Sequence, residues 1–244
     1  MLAMILAAGY GTRLKPITDH LPKALVKINS KTLLQIQIEN LIRYGFDHLI
    51  INTHHLADQI RDFIDSEKYP ARIELSHEPR LLDSGGGIKK MARELKTDEF
   101  ALVHNVDVIS SLNLRDFYRH HQTSGADVTL AVQKRRTTRY LVFDERRQLC
   151  GRGSADGRLI DPVCAPHGDI SFLGFNGIQI IHPDDFVEFP PDKFSSIDLY
   201  LHLSHLGKEV LCYPMDDCYW RDLGRIEDLR AIEEDFSKGT VSLD

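Results

Sequence analysis

Short apolar runs alternate with stretches whose apolar residues recur every three to four positions, and this alternation dominates the first half of the chain. Residues 2–8 are almost uniformly apolar and read as a buried strand that ends at Gly9. Leu34, Ile38, Leu41 and Ile42 then share one helical face, with Gly45 as a stop. Residues 48–53 read as a second buried strand, and Leu56, Ile60, Phe63 and Ile64 as a second helix face. A strand over 71–76, a helix over 85–96 and a strand over 100–104 continue the series. Asn113 is placed to cap a helix that runs to about Ser124, before Gly125.

From Ala126 the pattern turns to strands and hairpins, over 126–133, 139–143, 157–160 and 170–181. A helix near 195–206, a strand over 209–215 and a charged helix over 225–236 follow. Alternation of this kind predicts an α/β fold: a Rossmann-like, mixed and mostly parallel central sheet with helices on both faces. The later hairpins would supply a small β-rich side lobe. No repeat, linker or low-complexity tract divides the 244 residues, so a single domain over 1–244 is expected.

Composition narrows the class without naming a chemistry. No apolar run approaches the roughly 18 residues of a membrane span. The apolar start meets Gly9 at once and carries no basic leader, so it reads as a strand and not as a signal peptide. The four cysteines (Cys150, Cys164, Cys212 and Cys218) show no C-x-x-C pair or disulfide-framework spacing, as expected of reduced thiols in a cytoplasmic protein. The net charge of −6 argues against a nucleic-acid surface. Charge is nevertheless uneven: residues 1–31 carry five basic residues against the single acid Asp19. A short cationic segment on an acidic chain suggests a local anion site.

That segment contains L-A-A-G-Y-G-T-R-L-K-P at 6–16 and P-K-A-L at 22–25. Gly9 and Gly11 stand just past a strand end, where backbone N–H groups can approach an anion closely. Arg13, Lys15 and Lys23 would neutralise a triphosphate. The pattern is neither a Walker loop nor a complete dinucleotide fingerprint, since Leu14 replaces the third glycine. Three further segments follow in order. L-D-S-G-G-G-I at 82–88 opens a helix whose first N–H groups would face a polar ligand. V-H-N-V-D-V at 103–108 ends a buried strand with Asp107, and W-R-D-L-G at 220–224 offers Asp222 before the last helix. Each acid could instead be a capping or turn residue.

Taken together, the four segments resemble the sugar-1-phosphate nucleotidyltransferases, the nucleoside-diphosphate-sugar pyrophosphorylases, over nearly the whole chain. The resemblance implies transfer of a nucleoside monophosphate from a nucleoside triphosphate to a sugar 1-phosphate or similar small phosphate ester, with release of pyrophosphate. It assigns the nucleotide to Leu6, Ala7, Ala8, Gly9, Gly11, Thr12, Arg13, Lys23, Gly85 and Gly86. Arg13, Lys23 and Asp107 would be catalytic, and Asp107 with Asp222 would hold Mg²⁺ or Mn²⁺. F-L-G-F-N-G-I at 172–178 resembles the strand that meets the sugar, implying Asn176 and Gly177 as acceptor contacts, with Asn105 and Tyr140 beside them. A strand with an incidental Asn and a bulge Gly is the plainer alternative.

The nucleotide-binding half would span about 1–125, and the acceptor-binding and metal half about 126–244. Ser84 stands where the family usually has Thr, and Val106 where it has Gly before the metal-binding Asp. The short chain and triple glycine resemble N-acetylmuramate-1-phosphate uridylyltransferases, with heptose- and mannose-1-phosphate guanylyltransferases next. A nucleotide-sugar-dependent glycosyltransferase or a non-catalytic nucleotide-binding module are the alternatives. No nucleic-acid or membrane partner is expected.

Overall fold

The computed structural model describes residues 1–95 and 99–241. The apolar run at the start forms β1 (Leu2–Leu6), in which Ala3 and Ile5 face one apolar core while Leu2 and Met4 face another. Alternate side chains of a strand point to opposite faces, so a strand buried on both sides reads as continuously apolar. A small hairpin follows, β2 (Lys27–Ile28) with β3 (Lys31–Thr32). Then come α1 (Leu33–Arg43), β4 (His48–Thr53), α2 (Ala57–Ser66), β5 (Arg72–His77), α3 (Asp83–Leu95), β6 (Ala101–Asn105), β7 (Val108–Ser110) and α4 (Leu114–Ser124). The second half comprises β8 (Val128–Gln133), β9 (Tyr140–Phe143), β10 (Leu149–Gly153), β11 (Leu159–Ile160) and β12 (Ser171–Ile181). It closes with α5 (Pro183–Glu188), α6 (Ser196–His205), β13 (Val210–Pro214), β14 (Trp220–Asp222) and α7 (Ile226–Ser237).

Strands β6, β1, β4 and β5 are parallel neighbours, which leaves their carboxyl ends on one edge of the sheet. Helices α1, α2, α4 and α7 cover one face through Leu34, Ile60, Phe117 and Ile232, and α3, α5 and α6 cover the other through Met91, Phe186 and Leu199. Among the described residues no helix is long and apolar enough to cross a membrane.

Strand β12 organises the other half. Its residues 178–181 pair antiparallel with β6 and its residues 171–174 with β9, while β8 runs along its opposite edge. The register against β8 shifts between Phe175 and Gln179, around Asn176 and Gly177. There the chain bends and β6 and β9 part company. The expected side lobe is therefore β9, β10 and β11, branching from the same sheet.

Local rules fix most element ends. Thr32 accepts from Gln35 N at 3.0 Å to cap α1, and Asn113 caps α4 as expected, with Gly125 in the left-handed region at its end. Helix α3 starts two residues before the expected Gly85, at Asp83, and ends at Leu95; Lys96 lies outside the described residues. Strands β7 and β14 form a separate two-stranded ladder that pairs Asp222 with Val108. This ladder brings the W-R-D segment beside Asp107, whose carbonyl accepts from Leu223 N at 2.8 Å.

Candidate active site

Two cavities meet at the carboxyl ends of β1 and β6, where ligands of open α/β sheets gather. The smaller, about 330 Å³, is lined by residues 6–9 and 11–13 of the glycine loop, by Lys23, and by Asn105, Val106 and Asp107. The larger, about 890 Å³, lies under the loop that follows β8 and includes Tyr140, Trp220 and Asp222. Arg13 lines both cavities, so it marks their junction.

The loop is held open by residues that leave no alternative. Gly11 has φ of +62°, and a Cβ there would stand 2.9 Å from Thr18 Cγ2 and 3.1 Å from Lys23 Cβ. Gly9 has nothing within 4 Å of its Cβ position, an open face beside the cavity. Ala7 N donates to Asn52 Oδ1 at 2.6 Å, and Asn52 Nδ2 donates to Glu78 Oε1 at 2.7 Å. Glu78 is fully buried, and that burial raises its pKa against the hydrogen bonds from Leu82 N and Asn52. Lys15, also expected at the phosphates, instead pairs with Asp19 at 2.8 Å and lines neither cavity.

Three charged groups join Arg13 at the junction. Lys23 Nζ is ion-paired with Asp107 Oδ2. Asp222 stands near them, its pKa raised first by burial and then by the Asp107 charge, with Lys23 and Arg13 acting in the opposite direction. Among the described residues, Asp222 Oδ1 is buried and has no hydrogen-bond partner. An orphaned carboxylate oxygen beside a second carboxylate fits a hard divalent cation. Among the described residues no cluster of three or more His, Cys, Asp or Glu is found, so such an ion would complete its shell with ligand phosphate and water.

The triple glycine behaves differently from the expectation. Gly85 N and Gly86 N both donate to Phe194 O, at 2.9 and 3.3 Å, so neither N–H is open to a ligand. A Cβ on Gly85 would strike the Phe194 ring at 2.4 Å, and one on Gly86 would strike Asp192 O at 2.3 Å. These two glycines let α3 press against the 192–194 segment, while Asp83 and Ser84 line the smaller cavity in their place.

The residues expected at the acceptor divide between the two cavities and the protein interior. Tyr140 lines the larger cavity, and so does Arg139. Asn176 does not: it is buried, and its Oδ1 accepts from Arg135 Nε at 3.0 Å. Gly177, at φ of +75°, leaves room for Asn105, whose Nδ2 would lie 2.6 Å from a Cβ. Asn105 itself lines the smaller, glycine-loop cavity. The sequence reading missed Arg135, which donates from Nη2 to Phe175 O at 2.6 Å and lies 4.1 Å over the Trp220 ring. The available signal was Q-K-R-R-T-T-R at 133–139, a basic run at the carboxyl end of a strand.

Residues 2–145 match the family model described as nucleotidyl transferase. Mannose-1-phosphate guanyltransferase beta-B of Xenopus laevis is 38% identical over 138 residues, which cover 55% of this chain. The matched segment spans only 38% of the length of that relative. N-acetylmuramate alpha-1-phosphate uridylyltransferase of Caulobacter vibrioides is 28% identical over 239 residues, 91% of each chain. The crystal structure of HddC from Yersinia pseudotuberculosis, complexed with GMP-PN, superposes with a TM-score of 0.73 at 24% identity over 96% of this chain and 98% of that one. That likeness establishes a shared fold.

Proposed function

We propose, from the premise that this chain belongs to the nucleotidyl transferase family, that it transfers a nucleoside monophosphate from a nucleoside triphosphate to a sugar 1-phosphate, releasing pyrophosphate. The observation that carries this reading is the junction itself. A glycine-loop cavity and a larger second cavity share Arg13, and Lys23, Asp107 and Asp222 stand where they meet. Two substrates bound one in each cavity would bring their phosphates together there.

The acceptor phosphate, with a second pKa of about 6, is largely dianionic near neutrality, so its oxygen attacks the α-phosphorus without a general base. The obstacle is repulsion between two polyanions. Lys23 and Arg13 lower it by holding the phosphates in line and by offsetting charge as it develops. The loop N–H groups around Gly9 and Gly11 cradle the triphosphate. Mg²⁺ or Mn²⁺, held by Asp107 and Asp222, supplies further charge neutralisation when bound. The cysteine spacing, with no C-x-x-C pair or disulfide framework, supports a reducing, cytoplasmic setting.

The test is a matrix of four nucleoside triphosphates against a panel of sugar 1-phosphates, read by pyrophosphate release. Release that depends on both substrates is expected. Nucleotide binding without acceptor-dependent release from any pair rejects the transferase reading and leaves a binding module.

A further inference from the structure

The larger cavity carries more cationic charge than one phosphate monoester needs. Five arginines line it (Arg13, Arg135, Arg139, Arg152 and Arg225), against one carboxylate, that of Asp222, in a chain whose net charge is −6. Arg152 is compensated from behind by Asp198 and Asp161. Arg13 acts on Asp222 at the junction, where the reacting phosphates belong, and Arg225 lies at the start of α7. Arg135 and Arg139 share the loop that follows β8.

Arg135 is a built feature. Asn176 Oδ1 and Phe175 O accept from its guanidinium, and the Trp220 ring lies beneath it. Trp220 is itself pinned, since its Nε1 donates to Asn176 O at 2.9 Å. Neutral groups thus orient a half-buried charge, and among the described residues no carboxylate lies within 4.0 Å of it. Asp222 is the acid that acts on it, from beyond ion-pair distance. Desolvating a guanidinium without a counter-ion is costly, and an anionic ligand would offset that cost. Arg139, exposed on the same loop and also without a carboxylate partner among the described residues, lines the same cavity. Two guanidinium forks suit one planar carboxylate or one phosphate.

We propose that the acceptor carries a second anionic group, a carboxylate or a phosphate, besides the phosphate that reacts, and that Arg135 and Arg139 receive it. The inference rests on the transferase reading above. Matched acceptors test it: glucose 1-phosphate, glucuronic acid 1-phosphate and glucose 1,6-bisphosphate, each given with the nucleotide that supports the most pyrophosphate release. kcat/KM is measured for each, and calorimetry gives the Kd of each for the nucleotide-saturated protein.

One anionic acceptor is expected to exceed the neutral one by about tenfold or more, the scale of a charge-assisted hydrogen bond. Preference for the acid identifies a carboxylate, and preference for the bisphosphate a phosphate. Arg139→Gln is expected to lower the anionic arm about tenfold more than the neutral arm, and Arg139→Lys to recover part of the difference. Equal constants in the wild type, binding of none of the three, or a preference that survives Arg139→Gln overturns the proposal. Absent pyrophosphate release from every acceptor would count against the transferase reading, while the Kd comparison still reads the anion site.

Discussion

Lys23 Nζ is ion-paired with Asp107 Oδ2 across 84 residues of sequence, with both side chains largely withdrawn from solvent. Asp222 adds a second carboxylate on which Lys23 and Arg13 both act, yet its Oδ1 has no hydrogen-bond partner among the described residues. A divalent cation would satisfy that oxygen and free Lys23 for the phosphates. Asp107→Asn and Asp222→Asn are each expected to forfeit several kcal/mol of charge stabilisation, roughly a hundredfold or more in turnover. Pyrophosphate release titrated with Mg²⁺ and with Mn²⁺ measures this. Near-normal turnover in either variant removes that residue from the metal site.

Lys23→Ala separates two roles for the same ammonium group. If its charge matters most as the transition state forms, turnover falls far more than nucleotide affinity does. Steady-state kinetics beside a direct nucleotide Kd distinguishes the cases. A variant with weaker nucleotide binding and unchanged kcat would make Lys23 a ground-state clamp.

The long periodic segments were legible in the sequence because burial on one or both faces leaves a pattern. Ile5 and Met4 face opposite cores from one strand, and Leu34 and Leu41 share one face of α1. That Asp107, Lys23 and the glycine loop gather around one cavity was legible too, since charged and glycine residues at a strand end have few structural reasons to be there. That Asn176 and Gly177 do not line the larger cavity was not legible, because a motif names residues and not directions. At the β12 bulge the Asn side chain turns towards Arg135, and the glycine yields its space to Asn105. The β7–β14 ladder left no trace either, because two three-residue strands are too short to show a period.

Two buried histidines make stability depend on pH. Burial lowers the pKa of His104 to about 4, and burial lowers that of His121 to about 4 as well, from the ordinary 6.5. A depressed folded-state pKa means that the unfolded chain takes up the proton first. The contribution is present above 6.5 and is lost as pH falls towards 4. Each histidine contributes a slope of up to about 1.4 kcal/mol per pH unit inside that window. Denaturant unfolding at pH 7 and pH 5 is expected to show the loss, and His121→Gln to flatten it. Equal stability at both pH values would mean that these imidazoles are charged in the folded protein.

Asn52 joins the fold to the glycine-loop cavity. Its Oδ1 accepts from Ala7 N, at the start of the glycine loop, and its Nδ2 donates to the buried Glu78. Asn52→Ala leaves one amide and one carboxylate oxygen unpaired in the interior, for a cost of about 3 kcal/mol. It should also raise the Michaelis constant for the nucleotide, since the loop loses an anchor, while the constant for the acceptor changes little. The pH dependence identifies the cause. Glu78 already has a raised folded-state pKa, and losing the Asn52 hydrogen bond raises it further. A carboxyl with a raised folded pKa supports the fold below its unfolded value and opposes it as pH rises through the folded value. The deficit of the variant is therefore expected to be larger at pH 7.5 than at pH 5. Unfolding free energies of both proteins at those two values measure it. A deficit independent of pH would assign the loss to the Ala7 amide alone, and an unchanged nucleotide constant would detach this network from the site.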